Sequence, residues 1–189
     1  MLPVITFANM KWLVLTVDKI EKKALLLSAY NVGFDSYDNP WRGCSLRKWL
    51  NTDFLEMQFS EEERDAILSV YIDEIVDPTS EETSIRTIKT KNKVFLLSIE
   101  EVKKYLIGDD DKVLWEEGYY DRDEDSEKHH ASYDWWLRSP GDAQEVDEPL
   151  VMAFVDDYGT LAEGGRFVYS IQAIRPAIWI DLKHPAIGN

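Results

Sequence analysis

Through "KWLVLTVD" (11–18) and "KKALLLSAY" (22–30) the chain carries short apolar, partly β-branched runs joined by the polar "KIE". Runs of that length and composition predict a β-hairpin, although Leu25 to Leu27 also suit a buried helical segment. The preceding "MLPVITFANM" reads as a further strand, and "NVGFDSYDNPWRG" (31–43) is loop chemistry, dense in Asn, Gly, Asp and Pro. The pattern then changes period. Ser45 is placed to cap "LRKWLNTDFLEM", where Leu46, Trp49, Leu50 and Phe54 recur at helical spacing. Ser60 with Glu63 forms a capping-box pattern ahead of "EEERDAILSV", and Ser98 with Glu101 repeats it ahead of "IEEVKKYL". "KNKVFLLS" reads as a strand feeding that last helix. The polar "DEIVDPTSEETSIRTIKTKN" (73–92) predicts a long connection or an irregular edge.

Residues 108–132 show no clean period. Their charge argues for an exposed loop, while Trp115, Tyr119 and Tyr120 argue that part of it packs. From Tyr133 the β pattern returns in "YDWWLRS", "PLVMAFVDD" and "GRFVYSIQAIRPAIWIDL". "DDYG" and "EGG" are hairpin turns, because glycine accepts positive φ without cost. Pro176 marks an edge or a bulge. No internal repeat is visible. Strands, helices, a long loop and strands again predict an α+β fold with a mostly antiparallel sheet. Pairing of the first strands with the last would close it as a single domain over 1–189, with its core at about 5–182.

Composition narrows the class. At 189 residues, with 44% hydrophobic content and seven tryptophans, the chain can bury a sizeable core and is not a disordered segment. No run of 18 apolar residues is present to span a membrane, and the N-terminus lacks a basic n-region and a small-residue cleavage site. One cysteine, Cys44, excludes an internal disulfide framework and a multi-cysteine zinc site, and the chain reads as cytoplasmic. The formal charge is −15, unevenly spread. Residues 109–127 hold ten acidic and two basic side chains, and Asp142, Glu145, Asp147 and Glu148 form a second cluster. Direct binding to a phosphate backbone is disfavoured, since it rests on Lys and Arg displacing counterions. Attraction to basic partners is favoured.

Candidate chemistry is sparse. Asp121, Asp123 and Asp125 alternate as in an EF-hand, but the sixth and twelfth positions are Ser126 and Ser132 rather than Gly and Glu. Weak divalent-cation binding by this acidic loop is the only cofactor expectation. His129 and His130 are adjacent and point apart on a strand; His184 lies in a Pro-containing tail. Cys44 fits a small buried residue near a helix start, and no spacing pairs it with a histidine. "GFDSYDNPWRG" and "EGGRF" lack the strand–turn–helix context of a phosphate cradle. Paired carboxylates occur without a recognisable glycosidase context.

In "YDWWLRSPGD" (133–142) strand alternation sends Trp135 and Trp136 to opposite faces. One enters the core and the other meets a second layer, a loop or solvent. Alternation also puts Arg138 on the face of Trp136, within reach of its indole or a nearby carbonyl. With "KWLVLTVD…KALLLS", "CSLRKWLNTDFLEMQFSEEERDAIL", "KVFLLSIEEVKKYL" and "IRPAIWIDL", this stretch makes an ordered set of five motifs from about Ile5 to Leu182. The set resembles a widespread bacterial family of domains of unknown function carrying W-W-L-R-S-P-G and V-R-P-A-L-W-I. Its closing pattern is similar to C-type-lectin-like and formylglycine-generating-enzyme-like domains. The resemblance implies a small sheet joining the termini, two or three flanking helices, and long irregular loops that form a binding surface. The matching positions are Arg47, Trp49, Leu50 and Asn51; Trp135 through Gly141; and Arg175, Pro176, Ala177 and Trp179. They are expected to be scaffold, the tryptophans as core and the arginines as anchors. After Gly141 this chain departs from the pattern into acidic sequence.

The functional expectation is a non-catalytic recognition domain that binds a basic protein surface through loops 108–132 and 142–165. The candidate contact residues are Tyr119, Tyr120, Asp121, Asp123, Asp125, Asp156, Asp157, Tyr158 and Arg166. Two alternatives stand beside it. One is an acidic inhibitor that mimics nucleic acid and blocks an enzyme of nucleic acids, as a phage-borne antagonist does; the other is a formylglycine-generating-like enzyme using Cys44.

Overall fold

The computed structural model describes residues 2–38, 40–76, 86–107, 133–142 and 150–187. The fold is α+β and mostly antiparallel. β1 (Val4–Phe7), β2 (Met10–Asp18), β3 (Lys23–Ser28), β12 (Ala177–Asp181) and β7 (Val94–Phe95) lie in that order in one sheet. The hairpin expected at 11–30 is β2–β3, and β12 pairs with β3 from Ala177↔Leu27 to Asp181↔Lys23, so N- and C-terminal strands meet as expected. An extra residue on β2, Leu15, makes a bulge between the Val14 and Thr16 pairings.

The second sheet has the order β10 (Leu161–Phe167), β9 (Val151–Val155), β8 (Trp135–Pro140), β11 (Gln172–Ala173) and β4 (Phe34–Asp35). Its one parallel pairing among the described residues joins β11 to β8. Both sheets feed a shared core, in which Leu25, Leu26, Leu27 and Ile178 of the first meet the cluster containing Trp135, Ala153 and Val155 of the second.

Four α-helices are described. The segment expected as one helix from a Ser45 cap is two, α1 (Ser45–Asn51) and α2 (Asp53–Gln58), and the cap is Cys44. Thr52, at φ −125 and ψ −90, breaks the run: its hydroxyl donates to the Lys48 carbonyl (2.8 Å), a local bond that competes with continued helix. Both capping boxes are present, at Ser60–Glu63 for α3 (Glu61–Ala66) and at Ser98–Glu101 for α4 (Ile99–Tyr105). Helix α3 stops at Ala66, earlier than expected, because Ile67 bridges to Ile180 of β12. The polar stretch 73–92 contains more order than expected: β5 (Val70–Val76) and β6 (Arg86–Asn92) form a seven-pair antiparallel ladder. The C-terminal run is three pieces, β10, β11 and β12, with Pro176 between the last two and its carbonyl accepting the Ser28 N–H (2.9 Å).

Signature polar residues fasten these elements. Asn51 donates to the Arg47 and Val94 carbonyls and accepts from the Lys93 and Val94 N–H groups, closing the edge of β7 onto α1. Arg47 donates to Asn92 Oδ1 (2.6 Å) and to the Lys91 and Arg42 carbonyls, tying α1 to β6. Arg138 donates to the Leu96 carbonyl and pairs with Glu101, the same glutamate that caps α4. Of the two partners expected for it, the Trp136 indole or a nearby carbonyl, it takes the carbonyl, and its guanidinium lies over Phe95. A register shift between Trp136 and Pro140 interrupts the β8–β9 ladder after the tryptophans. Gly141 has a steric reason: a Cβ there would lie 2.6 Å from the Gly164 carbonyl oxygen.

Candidate functional site

Trp135 and Trp136 are both fully buried, on opposite faces of β8. Trp135 lies under the Arg175 guanidinium (5.0 Å), whose Nε and Nη2 donate to the Ser28 carbonyl and whose Nη2 also reaches Ala29 O. Burial pulls the Arg175 pKa down to about 10, and the indole face and carbonyl dipoles provide its electrostatic support. Trp136 is met on the other face by Tyr37, edge to face at 5.3 Å, and donates its indole N–H to the Asp35 carbonyl. The double tryptophan is thus consumed by packing. The face of Trp136 then leads outward to a different setting.

Phe154, the cross-strand partner of Trp136, is covered by the Arg166 guanidinium at 4.3 Å. Arg166 Nη1 pairs with Asp134 Oδ2 (2.5 Å) and donates to Gln172 Oε1 (3.3 Å). Asp134 Oδ1 accepts the backbone N–H of Asp157 (2.9 Å), so one carboxylate fixes both the arginine and the start of the β9–β10 turn. Phe34 and Tyr133 meet edge to face at 5.1 Å alongside. Phe34, Tyr133, Asp134, Asp157, Arg166, Ile171, Gln172 and Ala173 line an open depression of about 230 Å³. Its polar groups come from β8, β10, β11 and the turn after β9, which the parallel β11–β8 pairing brings together.

The turn itself separates its residues by role. Asp156 is spent on structure: its Oδ1 accepts the N–H groups of Tyr158 (3.0 Å) and Thr160 (2.7 Å). Gly159, at φ +80, completes the turn where a side chain would be strained. Asp157 and Tyr158 are held outward, with Tyr158 75% exposed. Of the expected contact residues, Asp157 and Arg166 are brought together, Tyr158 stands beside them, and Asp156 supports the loop. Tyr119, Tyr120, Asp121, Asp123 and Asp125 lie outside the described residues. Asp134, Gln172, Phe34, Tyr133 and Ile171 were not anticipated. Strand alternation from Trp136 points to Asp134; nothing local distinguishes Gln172 or Ile171.

Cys44 is buried, donates to the Trp41 carbonyl and accepts the Arg47 N–H, serving as the cap of α1. His184 Nδ1 accepts the Ala186 N–H in the C-terminal turn. Among the described residues no group of three His, Cys, Asp or Glu side chains is placed to hold a metal ion. The acidic loop considered for divalent cations lies outside them. No helix among the described residues is long and apolar enough to cross a membrane.

An open, partly aromatic depression thus lies beside the β9–β10 turn. The chain belongs to the family described as Domain of unknown function (DUF6273), which it matches over residues 9–182. No curated protein and no solved structure matches it.

Proposed function

We propose that this chain is a non-catalytic recognition domain whose acidic loop face engages a basic protein surface. The observation that carries the proposal is the β9–β10 turn, where Asp156 takes the structural work and leaves the Asp157 carboxylate and the Tyr158 ring facing outward. Tyrosine supplies contact area at low entropic cost, and a carboxylate steers a cationic surface and fixes its register. The charge of −15 extends that steering beyond contact distance. The acidic segment 109–127 and the acidic residues that follow Gly141 contribute to that charge. A capping role for buried Cys44 supports a reading without a cysteine nucleophile. The joining of N- and C-terminal strands in one sheet, with flanking helices, supports a C-type-lectin-like fold, and the composition supports a cytoplasmic setting.

The test is binding of a defined mixed Lys/Arg peptide to the immobilised chain across a salt series, with three variants compared. Binding should weaken steeply with salt. Asp157→Asn and Tyr158→Ala should each weaken it more than Glu21→Gln, which removes one exposed charge from the β2–β3 turn. Equal losses in all three variants, or binding insensitive to salt, would overturn the proposal.

A further inference from the structure

The depression lined by Asp134, Asp157, Arg166 and Gln172 carries more specific chemistry than an acidic face. Gln172 is 2% exposed and is one of the residues that line the depression. Its Oε1 accepts from Arg166, which orients the amide and leaves Nε2 a buried donor with no partner among the described residues. A buried amide donor left unmatched carries a desolvation penalty that an acceptor reaching it would relieve. Arg166 uses Nη1 for both Asp134 and Gln172, and its Nε and Nη2 make no hydrogen bond among the described residues. The depression therefore offers two kinds of unmet donor close together, both suited to a carboxylate.

An unmet acceptor lies across from them. The Asp157 side chain is exposed and makes no bond among the described residues; its backbone N–H is tied to Asp134. Asp134 has each oxygen engaged once and retains acceptor capacity. The remaining wall is apolar, formed by Phe34, Tyr133 and Ile171. Donors for an anion, a carboxylate for a cation and an apolar wall, within about 230 Å³, match one small molecule bearing all three features.

We propose that this depression binds a small zwitterion of the α-amino-acid class. Its carboxylate meets Arg166 and Gln172, its ammonium meets Asp157 and Asp134, and its apolar side chain rests against Phe34, Tyr133 and Ile171. A simple anion would face Asp157, and a simple cation would face Arg166; the zwitterion satisfies both. The inference does not depend on the protein-partner reading.

The experiment is an NMR titration of the isotopically labelled chain with L-leucine, L-leucinamide and N-acetyl-L-leucine. L-leucine should shift the resonances of Tyr133, Ile171 and Gln172, including the Gln172 side-chain amide, with a Kd of about 1 mM or tighter. L-leucinamide lacks the carboxylate and N-acetyl-L-leucine lacks the ammonium; each should bind at least about tenfold more weakly, a difference of about 1.4 kcal/mol. Asp157→Asn, at an exposed side chain with no structural bond, should lose the same factor for L-leucine while keeping the spectrum of the folded chain. No shifts at these residues up to about 10 mM, or equal binding of all three probes, would overturn the inference. A chain that binds the cationic peptide but no zwitterion overturns this inference alone.

Discussion

Arg175 and Arg166 each lie over an aromatic ring, at 5.0 Å from Trp135 and 4.3 Å from Phe154, yet they are placed for different ends. Arg175 is sealed in, bonded to main-chain carbonyls, and holds the turn after β3 to the segment before β12. Arg166 is half exposed, balanced by one carboxylate, and opens onto a depression. Stacking on a ring is shared; what differs is the rest of the donor set. An arginine whose donors end on buried carbonyls is a fastener. One that keeps free donors at an opening is available to a ligand.

The largest effect expected from breaking this contrast is at Arg175. Arg175→Ala strips the Ser28 and Ala29 carbonyls of donors and bares the Trp135 face, and should cost about 3–5 kcal/mol in urea unfolding. Trp136→Ala should cost a similar amount, about 3–5 kcal/mol, by emptying the space under Tyr37 and orphaning the Asp35 carbonyl. Retention of a stable fold with loss of a ligand alone would contradict the packing role assigned to it. Gly141→Ala should cost about 1–3 kcal/mol, because the new Cβ meets the Gly164 carbonyl and Gly165 Cα, main-chain atoms that yield only if the β8–β10 neighbourhood moves. Ser98→Ala should cost about 1 kcal/mol through loss of the α4 cap. Arg166→Gln is placed last: an exposed pair contributes about 0–1 kcal/mol, so thermal unfolding should barely move while binding at the depression falls.

Local signals carried well from sequence to structure. The Ser60–Glu63 and Ser98–Glu101 boxes need only residues three apart, and the β2–β3 hairpin needs only its own alternation and turn. Among features that depend on distant partners, the pairing of β3 with β12 carried and others did not. The β5–β6 ladder pairs the apolar-rich Val70–Val76 with the polar Arg86–Asn92, whose composition does not announce a strand. Arg138 was placed within reach of the Trp136 indole or a nearby carbonyl, and which of the two it takes, the Leu96 carbonyl, is decided by a segment distant in the chain. The same holds for the site. Asp157, Tyr158 and Arg166 stand out as charged or aromatic residues near a turn. Gln172 becomes notable only when the parallel β11–β8 pairing sets it beside Arg166 and leaves its amide unmatched.

The central claim is that the ordered motifs build the scaffold while recognition falls at the β9–β10 turn and the depression beside it. The most direct measurement is a map of amide shifts as the cationic peptide is titrated into the labelled chain. The account predicts perturbations concentrated at Asp156 to Gly159, Tyr133, Asp134 and Arg166, with Trp49, Trp135 and Ala177 unmoved. Perturbations centred on those signature positions, or on the β5–β6 ladder, would contradict it.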